Sequence, residues 1–164
     1  MRLVWNVLPT SDMVLFVFFD FETTQDTEYS DSATVHVPNL VCLQQFCSRR
    51  ENIHDKNIDC ELCRRRKHTF WDDPVGDLLT YLCKFSTWCD KIVAIAHNAK
   101  AFDLHFLLNR AIFLKLKSEL ILNGLKILCM KMVHITIMDS NSFMPCSLRK
   151  LPEAFGLIST KSLP

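Results

Sequence analysis

The sequence predicts a mixed α/β domain, and three observations carry that expectation. Residues 13–21 (MVLFVFFDF) form an apolar, β-prone run. Two segments with apolar residues at helical spacing follow, separated by a short apolar strand. Two more β-prone segments come after the second of them. Strands, then helix, strand, helix, then strands pack most simply as a mixed central sheet flanked by helices. A chain of 164 residues is the size of about one domain. Its 49% hydrophobic and 23% charged residues are ordinary globular composition, so a disordered chain is excluded.

Each element has its own signal. Residues 13–21 are long enough for a strand buried on both faces. Residues 34–46 alternate loosely around Pro38-Asn39, which predicts two short strands and a turn. Residues 47–68 are polar, charged and Cys-bearing and read as an inserted loop. Leu78, Leu79, Leu82, Phe85 and Cys89 recur at helical spacing behind the start signal Asp72-Asp73-Pro74, which predicts a helix over 75–89. Residues 92–96 form a short buried strand. Phe102, Phe106, Leu107 and Ala111 mark one face of a helix over 101–113. Asn123-Gly124 is a turn. Residues 125–138 hold two apolar segments that predict a hairpin, and 147–155 predict a short helix ending at Gly156.

The net charge is only +1, but it is unevenly spread. Acids (Asp12, Asp20, Glu22, Asp26, Glu28, Asp31) dominate the N-terminal end, and bases (Lys115, Lys117, Lys126, Lys131, Arg149, Lys150) dominate 115–150. Such a division suits a metal site beside a phosphate-binding surface, although scattered solvated charges give the same count. No apolar run reaches the length of a membrane span, so no membrane partner is expected. With eight Cys, no signal-like N-terminus and so apolar a composition, reduced thiols in an intracellular setting are expected.

Asp20 and Glu22 sit two apart at the end of the first apolar run. On a strand they share a face at about 6.5–7 Å. Two carboxylates so placed repel unless a cation joins them, and a hard divalent ion is the usual partner. Solvated acid pairs are common, but Phe18, Phe19 and Phe21 surround this one. Asp103 follows the strand over 92–96, in His97-Asn98-Ala99-Lys100-Ala101-Phe102-Asp103. A helix N-terminus explains Asp103 by itself. It does not explain Asn98 and Phe102, which suit a nucleotide: one to hydrogen-bond it, the other to stack on it. The three acids are therefore expected to converge on one cleft.

Phe19-Asp20-Phe21-Glu22-Thr23-Thr24 resembles the first exonuclease motif of family-B DNA polymerases, and Asn98 to Phe102-Asp103 resembles the second. The stretch from Met138-Asp139-Ser140 to Phe155-Gly156-Leu157 is similar to the segment that follows in the protein-primed branch, with Ser140-Asn141 where the branch usually has Ser-Leu. The likeness runs from about Phe16 to Leu157. It is closest to polymerases of large self-synthesising DNA transposons of the Maverick or Polinton type and related viruses.

The resemblance implies a ribonuclease H-like exonuclease fold with a Cys-bearing insertion loop over 47–68. It implies DNA replication with 3′-5′ proofreading by two metal ions, Mg²⁺ or Mn²⁺, about 3.5–4 Å apart. Asp20 would bridge both ions, Glu22 would hold the first and orient the attacking water, and Asp103 would hold the second. Asn98 and Phe102 would grip the 3′-terminal nucleotides and Ser140 would touch the strand further back. Implied partners are a single-stranded DNA 3′ end, the rest of the polymerase and a terminal-protein primer, in a nuclear or viral setting. The third exonuclease motif is expected beyond Leu157 and the polymerase palm motifs are absent. Residues 1–164 are thus expected to be an incomplete exonuclease domain, weakly active or inactive alone. The alternatives are a non-catalytic nucleic-acid-binding remnant and a stand-alone exonuclease of the same fold.

Cys60-Glu61-Leu62-Cys63 is a C-x₂-C pair with Cys47 upstream, a candidate zinc set in which His54 or Cys42 could substitute for a missing fourth ligand. The family insertion commonly carries a second such pair, and here Arg50 stands where its partner Cys would fall. Because that second pair is broken, an exposed reduced loop that projects from the domain as its least ordered part is expected in preference to a zinc site. Arg64-Arg65-Arg66-Lys67 beside the pair suits phosphate or plain solvent equally. Cys83, Cys89, Cys129 and Cys146 lie in apolar contexts and read as core.

Overall fold

The computed structural model describes residues 13–30, 33–48, 59–85 and 89–156. They form seven strands: β1 (Val14–Ser30), β2 (Ala33–Cys47), β3 (Lys67–Trp71), β4 (Lys91–Ala96), β5 (Glu119–Asn123), β6 (Lys126–Met132) and β7 (Ile135–Asp139). Three helices accompany them: α1 (Pro74–Phe85), α2 (Asp103–Phe113) and α3 (Leu151–Ala154). All seven strands join one mixed sheet in the order β3-β2-β1-β4-β7-β6-β5. The β1–β4 and β4–β7 pairs are parallel, and the other neighbours are antiparallel. The parallel pairs sit in the middle because α1 and α2 carry the chain back between them, which a tight turn cannot do.

Alternation along the central strands decides which side is core. Leu15, Val17, Phe19 and Phe21 of β1 are buried with Val41 and Leu43 of β2, Ile92 and Ala94 of β4, and Ile135 and Ile137 of β7. Over this face lie Leu78, Leu79 and Leu82 of α1 and Leu104, Leu107 and Ala111 of α2, each at most 1% exposed. The two helices also touch each other. Burying each such leucine is worth about 1.5–3 kcal/mol, so this interface holds the domain together.

The opposite face is only partly covered, which corrects the expectation of a strand over 13–21 buried on both faces: α1 and α2 both lie on one side of the sheet, and Phe18 on the other is 40% exposed. Phe16 and Phe18 pack there on Phe46, with ring centroids 5.8 and 5.2 Å apart. The segment from Phe143 to Leu151 closes over it and leaves an apolar groove of about 380 Å³.

Two expectations about elements change. Pro38-Asn39 is not a turn: β2 runs through it as one strand. Glu22 pairs with Leu40 and Thr23 with Pro38, so Asn39 is the extra residue of a bulge. Pro38 is tolerated because β3 pairs only with Leu40–Gln44, and the outer edge of β2 needs no N–H at Pro38. The inserted loop is also shorter than its polar composition suggests, since Lys67 and His68 belong to β3. Residues 49–58, with His54, and everything after Gly156 lie outside the described residues, as does most of what was expected about order in that loop. Of the cysteines read as core, Cys89 and Cys129 are buried, Cys146 is half-buried and Cys83 is exposed. Among the described residues no helix is long and apolar enough to cross a membrane.

Candidate functional site

Strand register gathers the acids. Phe18 of β1 pairs with Ile95 of β4, and Ala96 of β4 pairs with Asp139 of β7. Asp20, His97 and Asp139 therefore stand at the same end of three adjacent strands. Asp103 joins them from the first turn of α2, where it is 9% exposed. Burial, then the charges of Asp20 and Asp139, push its carboxyl up to about 7. Burial and Glu22 likewise raise Asp20, against a smaller opposing pull from His97. Glu22 is exposed beside the Asn39 bulge.

The acids are neighbours without forming a tight cage. Among the described residues, no three acidic side chains bring their oxygens within 4.8 Å of one another. Strand alternation is the reason. Asp20 shares its parity with Phe16 and Phe18 on the groove side, whereas Asp139 shares its parity with Ile135 and Ile137 beneath the helices.

Asp139 was not anticipated as part of this group. It is fully buried; its Oδ2 accepts a 2.5 Å hydrogen bond from Ser142 and lies 3.5 Å from Lys100 Nζ. Its Oδ1 is buried with no hydrogen-bond partner among the described residues. Burial by itself raises this carboxyl, but Ser142 and Lys100 outweigh it and hold it below the usual range. One sequence signal could have found it: an apolar strand ends on Asp in ITIMD as it does in MVLFVFFD.

The other expected contact residues occupy different settings. Asn98 is exposed in the left-handed region (φ 64°), and its Oδ1 accepts from Asn141 Nδ2 at 3.3 Å. Phe102 is 47% exposed and packs on His36 at a tilt of 33°, with centroids 4.6 Å apart. Thr23 Oγ1 lies 3.2 Å from His36 Nδ1, so this aromatic pair flanks the Asp20–Glu22 end of β1. Nothing in the sequence pointed to His36. Ser140 is buried, with its hydroxyl 3.0 Å from His97 Nδ1 and 3.3 Å from the Ala96 carbonyl. His97 Nε2 donates to the Cys146 carbonyl at 2.8 Å, so Ser140 and His97 act as one buried polar joint.

A second cluster lies apart. The Sγ atoms of Cys47, Cys60 and Cys63 all fall within 4.8 Å of one another and could hold a metal ion. Cys42 does not join them: its position on β2 puts it on the groove side, 3.9 Å from Thr69 Oγ1. Burial, followed by its thiol neighbours, pushes the Cys63 thiol up to about 12. The Cys60 thiol is held below its usual range: burial opposes this, but the N–H groups of Cys63 and Leu62 outweigh it.

No family model matches the chain, and no match is found among curated proteins or solved structures.

Asp103 sets a pH dependence. Its folded value of about 7 exceeds an unfolded value of about 3.9, so folding favours the protonated acid. That contribution is complete below about pH 4 and is lost as pH rises through about 7. In chelator-treated buffer, Asp103→Asn is expected to be more stable than the parent at pH 8, by about 2 kcal/mol, with the gap closing towards pH 4. Urea midpoints across that range test it; parallel pH profiles for parent and variant would remove the repulsion argued here.

Proposed function

We propose that this chain is a nucleic-acid-processing domain of ribonuclease H-like fold, the 3′-5′ exonuclease part of a protein-primed family-B DNA polymerase. The observation that carries the reading is the register of β1 and β7 on either side of β4, with Asp20 and Asp139 level with the end of β4 and Asp103 entering from the next helix. An antiparallel β3-β2-β1 trio continued by parallel β4 and β7 is consistent with that fold.

The donor set of Asp20, Glu22 and Asp103 is all carboxylate oxygen, which fits Mg²⁺ or Mn²⁺. Such ions, when bound, lower the pKa of a water and stabilise a leaving oxygen. Lys100 already neutralises Asp139, which leaves the charge of Asp20 and Asp103 for an ion. Phe102, exposed against His36, offers a face for a terminal base, and Asn98, held by Asn141, offers an exposed amide. Ser140 acts through His97, shaping the floor of the cleft. The bases from Lys115 to Lys150 are all exposed and supply phosphate contacts. The thiols are soft donors and belong to the different chemistry of zinc.

One observation favours the non-catalytic alternative: the acids spread more widely than a ready-made cage. Incubating the chain with 3′-labelled single-stranded DNA and Mg²⁺ separates the two. Stepwise release of nucleoside monophosphates supports the exonuclease. Salt-sensitive binding without shortening supports the binding module.

A further inference from the structure

We propose that Cys47, Cys60 and Cys63 are three ligands of a zinc ion that fastens the Cys60–Arg66 turn to the end of β2. The inference does not depend on the nucleic-acid reading. Sulfurs at about 2.3 Å from a tetrahedral zinc lie about 3.8 Å from one another. Cys47 and Cys60 Sγ are 3.8 Å apart, and all three are free thiols.

The turn is built as a knuckle. Cys60 N–H donates to the Arg64 carbonyl at 3.1 Å, and Arg64 N–H returns to the Cys60 carbonyl at 2.8 Å. This closes the C-x₂-C loop with both side chains on one side. Arg64 adopts φ 61°, a left-handed conformation that a non-glycine residue holds only when its surroundings enforce it.

The knuckle is anchored from behind by a buried residue. Gln45 Nε2 donates to the Cys63 carbonyl at 2.7 Å and the Arg65 carbonyl at 2.9 Å, and its backbone N–H donates to the Arg66 carbonyl at 2.8 Å. Tyr81 of α1 donates to Gln45 Oε1 at 2.8 Å. Cys47 lies two residues beyond Gln45 on the same strand face, so one stretch of β2 presents both the anchor and the third sulfur. Among the described residues no fourth Cys, His, Asp or Glu joins the group, so water or another donor completes the tetrahedron.

The test uses the full chain purified without chelator. Metal analysis is expected to give roughly one zinc per chain, since a structural site of this type binds a single ion. Exchange for Co²⁺ is expected to produce a thiolate-to-cobalt charge-transfer band. Cys63→Ser and Cys60→Ser should lose both signals, whereas Cys42→Ser and Asp20→Ala should keep both. Removing zinc from the parent with a chelator should speed amide exchange at 60–66 and leave the acid end of the sheet unchanged. That last measurement stands even if a Cys variant fails to fold. Reduced parent that takes up no zinc from excess, or Cys42→Ser losing the band together with Cys63→Ser, would overturn the assignment. Zinc bound without any DNA shortening would leave it intact and count only against the nuclease.

Discussion

Replacing Asp20 by Ala is expected to slow Mg²⁺-dependent shortening of 3′-labelled single-stranded DNA by about 10²–10³-fold, the scale of removing one electrostatic catalytic group. Asp20 has three titratable neighbours in the site. It feels Glu22 along its own strand, His97 across the β1–β4 pair, and Asp103 from α2. A cation placed among these acids relieves several repulsions at once, and without Asp20 the remainder offer it little. On the proposed reading single-strand binding should change far less, because exposed lysines and arginines would supply the phosphate contacts and the exposed Phe102 the stacking face. The variant should fold, since Asp20 is exposed and no core packing depends on it. An unchanged rate in Asp20→Ala would remove the carboxylate site from the reaction. A parent that binds but never shortens DNA would favour the non-catalytic module.

Much of the fold was legible because local signals were strong. The helix over 103–113 shows an apolar stripe, and the strand over 92–96 is too short and apolar to be much else. The far half of β1 was not legible, for a physical reason. β4 pairs only with Val14–Phe18, and beyond Glu22 the β1–β2 ribbon carries TTQDTEYS against the rest of β2. None of the side chains described there is buried, so polarity cannot mark the strand or fix its register. The register shifts between Thr24 and Thr27 and between Glu28 and Ser30 fall in that stretch. The Pro-Asn pair misled in the same way: a turn signal also serves as a bulge on a free strand edge.

The site divides along a similar line. The two-residue spacing of Asp20 and Glu22 is a local fact, and the strand preserves it. Asp139 becomes their neighbour only through the parallel β4–β7 pairing, which no local pattern announces. Its buried setting depends on Lys100, which the sequence shows only as one charge between Ala99 and Ala101. The thiols were half visible. The C-x₂-C pair stands out, but the nearness of Cys47 follows from β2 running on to its last residue, and the Gln45 anchor has no sequence signature.

Lys100→Met is expected to cost about 2–3 kcal/mol at pH 7, less than the loss of a fully buried partner because the Lys100 side chain is partly exposed. The cost comes from what is left behind. Asp139 is fully buried, Ser142 occupies one oxygen, and Oδ1 has no hydrogen-bond partner among the described residues. Removing the cation 3.5 Å away strands a carboxylate that Asp103 already crowds. The pH dependence has the opposite sign to that of Asp103. Asp139 is held below its ordinary value, so its contribution is present above about pH 4 and is lost as pH falls through its lower folded value. Without Lys100 that value should rise, so the penalty should be largest at neutral pH and shrink towards pH 4, where the acid can take a proton. Asp139→Asn in the same background should recover most of the loss at pH 7, because an amide needs no counter-charge. Urea melts of the two variants at pH 4 and pH 7 decide it. A Lys100→Met penalty that is independent of pH and unrelieved by Asp139→Asn would mean that Lys100 contributes through its packed stem and not through its charge.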